Sequence, residues 1–269
     1  MTADSDARRV LVFDSGLGGL TVFAPIAEAR ADVELTYVAD DAFFPYGELS
    51  ERALVERVLA LMAELVAKLA PDLVVIACNT ASTLVLAPLR ARFPKLPFVG
   101  TVPAIKPAAL ASRTKLVSVL ATPGTVTRDY TRALIREFAG DCEVTLVGSA
   151  RLAGLAERAL RGEAIADAEI AVEIAPGFVA KGQRRTDQIV LACTHFPLLG
   201  ERLAAVSPWP VEFVDPAPAI ARRVDALLGP ALARRRVERP RAMFTSAAPA
   251  SAALQKALLA RGLTISSDP

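Results

Sequence analysis

One histidine, one tryptophan and three cysteines are spread over 269 residues, and each scarcity excludes something. Cysteines this few and this scattered build no disulfide framework, and free thiols suit a reducing compartment. With a single His and no Cys-x-x-Cys spacing, soft ligands are too few for a tetrahedral zinc site, so no metal is expected. Neither sign of charge is in excess. Thirty-one basic residues against 29 acidic ones leave +2, which gives no electrostatic footprint for nucleic acid. The single basic run, Arg234-Arg235-Arg236 with Arg239 and Arg241, reads as a solvated helix end and linker. Long apolar runs are missing too, although 53% of the residues are hydrophobic. The most apolar helical stretch, Ala53 to Leu69, is broken by Glu56, Arg57, Glu64 and Lys68. It falls short of the roughly 18 uninterrupted apolar residues of a membrane span. Residues Met1 to Arg9 lack the apolar centre of a signal peptide and run directly into a strand pattern, so a short tail on a cytoplasmic protein is expected.

What is present is alternation. Strand-like runs at Val10–Phe13, Leu35–Val38, Leu73–Ala77, Phe98–Gly100, Leu116–Leu120, Val144–Val147, Ile189–Ala192 and Val211–Val214 are separated by amphipathic stretches. Those stretches cover Leu20–Ala31, Ser50–Leu69, Ala81–Arg92, Thr125–Ala139, Leu152–Arg161, Ile165–Lys181 and Ala217–Leu228. Such order predicts an α/β fold with mainly parallel sheets flanked by helices. The pattern restarts: strand, Gly-bearing loop and helix at Val10–Ala31 are echoed at Leu116–Ala139. Two similar lobes are therefore expected, with the active site in the cleft between them. Proline clusters at 94–107 and 208–218 mark two crossings. They place the first lobe at residues 1–101 plus 213–269 and the second at 102–212.

A duplicated segment carries the chemistry. Asp72-Leu-Val-Val-Ile-Ala-Cys78-Asn79-Thr80 and Asp187-Gln-Ile-Val-Leu-Ala-Cys193-Thr194-His195 each place a cysteine six positions after an aspartate, at the end of an apolar run. A cysteine there sits at the carboxyl edge of a parallel sheet, where open α/β folds bind ligands. Two equivalent thiols suggest a reaction that needs two equivalent groups, and racemisation is such a reaction. A helix starting near Asn79 or Thr80, both good caps, would lower the Cys78 pKa. His195, the only histidine, stands beside Cys193 and is placed for proton handling. Cys142 has no such context and reads as structural. Asp14-Ser15-Gly16-Leu17-Gly18-Gly19 follows a strand and opens a helix, which suggests an anion cradle with Asp14 aimed into the cleft. Its Gly-x-Gly-Gly spacing departs from the dinucleotide fingerprint. Pro45-Tyr46-Gly47 presents a phenol and a backbone N–H. Thr122 and Thr125 stand where a second-lobe helix begins, placed to cap it or to bind a carboxylate.

Taken together, the strings DSGLGGLTV, PYG, ACNTAS, LATPGT and ACTHFPLL resemble the glutamate racemases of the cofactor-independent aspartate/glutamate racemase superfamily, from Asp14 to about Leu228. The resemblance implies that Cys78 exchanges the α-proton of D-glutamate and Cys193 that of L-glutamate. It implies that Asp14 and His195 assist the thiols and that Glu157 lies near the second cysteine. It assigns substrate contacts to Asp14, Ser15, Tyr46, Gly47, Asn79, Thr80, Thr125, Thr194 and His195. It implies no cofactor, and no lysine stands in a strand-end motif to hold pyridoxal phosphate. It further implies D-glutamate supply for peptidoglycan, a small-molecule substrate as the partner and, as an open option, a homodimer. Neither nucleic acid nor membrane is expected as a partner. The chain departs from the resemblance at Ser149-Ala150, where many relatives carry Cys-Pro, and at Leu49, where others carry a basic residue. With 13 residues before Asp14, regulation through an N-terminal extension is not expected. Alternative readings are an aspartate or hydantoin racemase, a catalytically silent two-lobed binding protein, and a redox protein with a Cys78–Cys193 disulfide.

Overall fold

Val10 and Val12 pack on one side of their strand, Leu11 and Phe13 on the other, and all four are buried. A strand buried on both faces needs helices above and below it, and that requirement shapes the whole chain. The computed structural model describes residues 7–231 and 238–266; the arginines at 234–236 lie outside the described residues. In chain order, β1 (Arg9–Asp14), α1 (Leu20–Ala29), β2 (Glu34–Ala39), α2 (Glu51–Leu69), β3 (Leu73–Ile76), α3 (Asn79–Arg92) and β4 (Phe98–Gly100) build the first unit. The second unit contains α4 (Ile105–Ala111), β5 (Leu116–Ala121), α5 (Pro123–Val126), α6 (Asp129–Phe138), β6 (Glu143–Gly148), α7 (Leu152–Leu160) and α8 (Asp167–Ile174). A small antiparallel hairpin, β7 (Ala180–Lys181) with β8 (Arg184–Arg185), precedes β9 (Gln188–Ala192), α9 (Gly200–Ala205) and β10 (Glu212–Val214). The chain then adds α10 (Ala217–Leu228), β11 (Arg241–Phe244), α11 (Ala252–Leu259) and β12 (Thr264–Ile265).

Two parallel sheets result, in the orders β12-β11-β2-β1-β3-β4 and β10-β9-β5-β6. This is the expected α/β architecture of two lobes. The chain returns to the first sheet at its end, because β11 pairs with β2. β10 pairs with β9, so the strand at 212–214 belongs to the second sheet, whereas the expected boundary cut through it.

In the first sheet β2 lies to one side of β1 and β3 to the other; in the second, β6 and β9 flank β5 in the same way. Each sheet thus reverses its strand order once, between β1 and β3 and between β5 and β9. Ligands of open α/β sheets bind at the carboxyl side of such a reversal. Cys78 follows β3 and Cys193 follows β9, so each cysteine stands at the reversal of its own sheet. Each also continues one buried strand face: Val74, Ile76 and Cys78 share a cluster, as do Ile189, Leu191 and Cys193. The repeated aspartates work at the opposite edge. Asp72 accepts from the Arg9 N–H at 2.7 Å, and Asp187 accepts from the Ser112 hydroxyl and the Arg113 N–H, both at 2.7 Å. The six-residue spacing is therefore the length of one strand crossing its sheet.

Local signals explain the helix limits. Ser50 caps α2 by accepting from the Ala53 N–H at 3.3 Å. Its buried residues Leu54, Val58, Leu61, Met62 and Leu65 form one apolar stripe. The stretch expected as one helix over 125–139 is two. Thr122 and Pro123 start a short α5, and Arg128 is extended (φ −71°, ψ 136°) before α6 begins. The stretch expected as helical over 165–181 ends at Ile174, where Pro176 forces a 3-10 turn over Ala175–Gly177.

Candidate active site

The loop after β1 makes the site. Gly16 N–H (3.2 Å) and Gly19 N–H (2.9 Å) donate to Asp14 Oδ2, and Leu17 N–H donates to Glu157 Oε1 at 2.5 Å. The anions in this cradle are thus the protein's own carboxylates, and both are buried. Tyr37 supports the loop from β2 by donating to the Gly16 carbonyl at 2.6 Å. Three glycines are required by close approach. A methyl on Gly16 would lie 2.3 Å from Glu157 Oε1, on Gly18 2.3 Å from His195 Nδ1, and on Gly19 2.8 Å from Asp14 Cβ. The loop therefore bridges the lobes: Glu157 and His195 come from the second, Asp14 and Ser15 from the first.

Cys78 occupies the N-cap position of α3, in extended conformation, and the helix begins at Asn79 itself. Its Sγ lies 3.6 Å from Ser15 Oγ. Burial pushes the Cys78 thiol up to about 12, with the Asp14 charge adding to the effect. The helix terminus does not win here, because desolvation of a buried thiolate outweighs the partial charge of the helix end. Burial likewise raises Asp14 above the ordinary carboxylate range, against the lowering effect of His195. Asp14 Oδ1 is buried without a hydrogen-bond partner.

Cys193 stands in a different field. Its Sγ lies 3.9 Å from His195 Nδ1, and His195 Nε2 lies 2.9 Å from Glu157 Oε1. Burial alone would depress His195, but Cys193, Glu157 and Asp14 outweigh it and lift the imidazole well above its ordinary range. Burial would raise Glu157, yet His195, the Leu17 N–H and Arg161 hold it below the usual carboxylate value. His195 Nε2 thus sits between Glu157 Oε1 and the Gly18 N–H, which lies 3.1 Å from it, while Nδ1 faces Cys193. Phe44 covers the ring, with centroids 5.3 Å apart.

The remaining expected residues divide into two groups. Asn79 and Thr80 open α3, and both amide atoms of Asn79 are buried without a hydrogen-bond partner. Thr80, Thr122 and Thr125 bring three hydroxyls together, at 3.0 to 3.4 Å, from both lobes. Thr194 gives its carbonyl to Thr21 Oγ1 at 3.0 Å, a further contact between the lobes. Tyr46 is held from the first lobe. Its hydroxyl donates to Asp40 Oδ2 at 2.6 Å, and Asp40 is also held by Arg57 and Thr245, so the phenol is tied down within the first lobe. Gly47 lies across from Thr122. A cavity of about 370 Å³ opens there, walled by Phe44, Gly47 and Glu48 on one side and by Thr122, Ser149 and Leu155 on the other. Neither sulfur lines it. Sequence reasoning missed Phe44, Tyr37 and Arg161. An aromatic beside Pro-Tyr-Gly was the only signal for the first, and a buried strand tyrosine needing a partner for the second.

All three cysteines are free thiols. Among the described residues no cluster of His, Cys, Asp and Glu is placed to hold a metal, and no helix is long and apolar enough to cross a membrane.

Comparison with known proteins agrees with this geometry. The family model described as Asp/Glu/Hydantoin racemase matches residues 20–224. A glutamate racemase of Brucella ovis is 55% identical over 221 residues, 82% of this chain and 80% of that protein. One of Rhizobium meliloti is 54% identical over 83% of this chain and 81% of its own length. Among solved structures, Escherichia coli glutamate racemase in complex with L-glutamate and the activator UDP-MurNAc-Ala superposes with a TM-score of 0.88 at 40% identity. The match covers 96% of this chain and 97% of that one. Glutamate racemase from Aquifex pyrophilus gives 0.71 at 28% identity, covering 96% and 97%. With duplicated strand-end cysteines, a shared loop between them and this breadth of similarity, the chain belongs to the Asp/Glu/Hydantoin racemase family.

Proposed function

We propose that this protein interconverts L- and D-glutamate by acid–base chemistry at two cysteines. A single observation carries the reading. One loop, residues 14–19, touches Cys78 through Ser15 and, through Leu17 and Gly18, the Glu157–His195 pair that serves Cys193. Two thiols on opposite lobes thereby face a common space. The cleft is formed by a first lobe, residues 1–101 with the chain after the second crossing, and a second lobe from 102 to that crossing. It receives one amino acid.

With L-glutamate bound, Cys193 as thiolate removes the α-proton on its side, and the Cys78 thiol donates a proton to the opposite face. Cys193 is left as thiol and Cys78 as thiolate; the reverse reaction exchanges the roles. The high pKa of Cys78 suits its part as the acid in this direction. His195, oriented by Glu157 and the Gly18 N–H, faces the Cys193 sulfur through Nδ1. Asp14 and Ser15 attend Cys78. The carbanion beside a carboxylate needs fixed dipoles, which the start of α3 and the hydroxyls of Thr80, Thr122 and Thr125 supply. Asn79, with both amide atoms unpartnered, is the strongest candidate for a substrate contact. Tyr46 acts by holding the Pro45–Gly47 turn in place. Free thiols suit a reducing compartment such as the cytoplasm, where the D-glutamate made would serve peptidoglycan synthesis.

The test is racemisation followed by circular dichroism, together with α-proton exchange into deuterium oxide, for the intact protein and for Cys78→Ser and Cys193→Ser. The intact protein racemises glutamate faster than aspartate or a hydantoin. Each variant loses racemisation in both directions, by at least the roughly 10²–10⁴-fold that one positioned acid–base group supplies. Full turnover in either variant refutes the mechanism.

A further inference from the structure

Arg161 follows α7 directly, one helical turn beyond Glu157. Its Nε lies 3.4 Å from Glu157 Oε2. The Leu17 N–H and His195 both take the other oxygen, Oε1. Arg161 Nη2 also lies 3.9 Å from Asp41 Oδ2 on the first lobe. Asp41 is itself fixed by the C-terminal segment: Ser246 donates from its N–H at 2.9 Å and from its hydroxyl at 2.6 Å. The same segment holds the main chain, because Ser251, the N-cap of α11, donates its hydroxyl to the Arg161 carbonyl at 3.0 Å. Gly162, at φ +91°, would put a methyl 2.6 Å from Ala253 Cβ, so the end of α7 and the start of α11 are in close contact. The C-terminal segment therefore grips the end of α7 twice, once by side chain and once by main chain.

We propose that Arg161 is a positioning residue: it fixes the Glu157 carboxylate on His195 and makes the geometry of the Cys193 half of the site depend on the C-terminal segment 241–266. A carboxylate held at one oxygen only is free to rotate and exchange its oxygens. A cation on Oε2 stops that rotation while Oε1 stays on His195. The helix presents Arg161 at the right place because residues four apart share a face. This inference rests on the proposed role of Glu157 and His195. The groups that face Glu157 are His195 from the loop after β9, Asp14 from the end of β1, Tyr37 from β2 and Arg161 beside its own helix.

The test uses the full-length protein with Arg161→Met, Arg161→Lys and Ser246→Ala. Arg161→Met lowers kcat/KM about tenfold, less than the roughly 10²-fold of a full 1 Å misplacement. It also moves the acid limb of the pH profile upward, because Glu157 loses a cation that holds its pKa down. The loss of kcat/KM is equal for the two enantiomers, but the isotope effects diverge. The primary isotope effect grows with 2-deuterated L-glutamate, where Cys193 abstracts. It shrinks with 2-deuterated D-glutamate, where reprotonation by Cys193 becomes limiting. Arg161→Lys restores most of the activity, and Ser246→Ala shifts the isotope effects the same way by a smaller factor. Isotope effects that change alike for the two enantiomers, or a Met variant with kcat/KM within twofold of the intact protein, overturn the proposal. A silent Ser246→Ala beside an impaired Arg161→Met overturns the part played by the C-terminal segment. If the intact protein does not racemise glutamate, the parent reading fails instead.

Discussion

Adding one methyl group at Gly18 should disable the site without unfolding the protein. A Cβ there would sit 2.3 Å from His195 Nδ1, 2.6 Å from the His195 main-chain nitrogen and 2.7 Å from Cε1, where ordinary contact begins near 3.4 Å. The two ring contacts can be relieved by turning the imidazole, but the main-chain contact cannot. Either the loop or the strand end that carries Cys193 and His195 must move, by about 1 Å to restore contact distance. A displacement of that size costs on the order of 10²-fold in rate, or about 2.7 kcal/mol of transition-state stabilisation. The backbone at Gly18 is not among the positive-φ positions of the described residues, so conformational strain adds nothing and steric contact alone is tested. Racemisation of both enantiomers would be followed by circular dichroism and folding by thermal melting, with Gly200→Ala as control. A methyl at Gly200 meets nothing within 4 Å, so that variant keeps full activity. The loss of kcat/KM in Gly18→Ala must be equal in the two directions, since two enantiomers have an equilibrium constant of one. A Gly18→Ala protein that melts normally and retains activity within threefold would refute the loop's role as a spacer against His195.

Other outcomes follow from the same contacts. Asn79→Ala should cost substrate recognition, seen as a raised KM or a lowered kcat/KM, while melting stays level or rises, because the lost amide has no hydrogen-bond partner to leave behind. Arg57→Met removes a two-point grip on the fully buried Asp40 and should cost about 1–3 kcal/mol in denaturant unfolding at neutral pH. Asp40 is held below its ordinary value: burial opposes this, but Arg57, Tyr46 and Thr245 prevail. A depressed carboxylate contributes stability above its unfolded pKa and loses it as pH falls through the folded pKa. The difference between the intact protein and Arg57→Met should therefore shrink in acid. Cys142→Ser should leave turnover unchanged, since the Cys142 thiol reaches Asp141 and the Ala109 carbonyl and packs on the cluster beneath β5 rather than beside Cys78 or Cys193; loss of turnover in a folded variant would show that this thiol was misjudged.

The fold was legible because buried parallel strands write themselves as apolar runs, and eight of them stand in the sequence as they stand in the sheets. The cysteines were legible for the same reason, since each extends a strand face by one step at a reversal of strand order. Partners made by folding were less legible. Nothing local announces that Asp40 will take the Tyr46 hydroxyl, or that the glycines at 16 and 18 make room for side chains more than 140 positions away. The resemblance supplied Glu157, but not its attachment to Arg161, which depends on a C-terminal segment reaching back to the first sheet. Charge was the least legible part. A thiol at a helix start reads as acidified, whereas enclosure between two lobes reverses the sign.

The two cysteines occupy equivalent places in equivalent sheets, yet their surroundings are unlike. Cys78 has a carboxylate and a hydroxyl beside it, whereas Cys193 has an imidazole backed by a carboxylate. Because the substrate and product are mirror images, this asymmetry cannot favour one enantiomer at equilibrium. Under the proposed two-cysteine mechanism it would act on the free protein, which would carry one thiol and one thiolate to begin either direction. Under that mechanism, the burial that keeps Cys78 protonated provides the proton donor that the L-glutamate direction needs. The form that accepts D-glutamate is then reached by moving a proton between the two halves, and the loop from Asp14 to Gly19 is the element that touches both. KM and kcat are thus free to differ between the enantiomers while their ratio stays equal, and substitutions on either side of the loop should change that division rather than the ratio's symmetry.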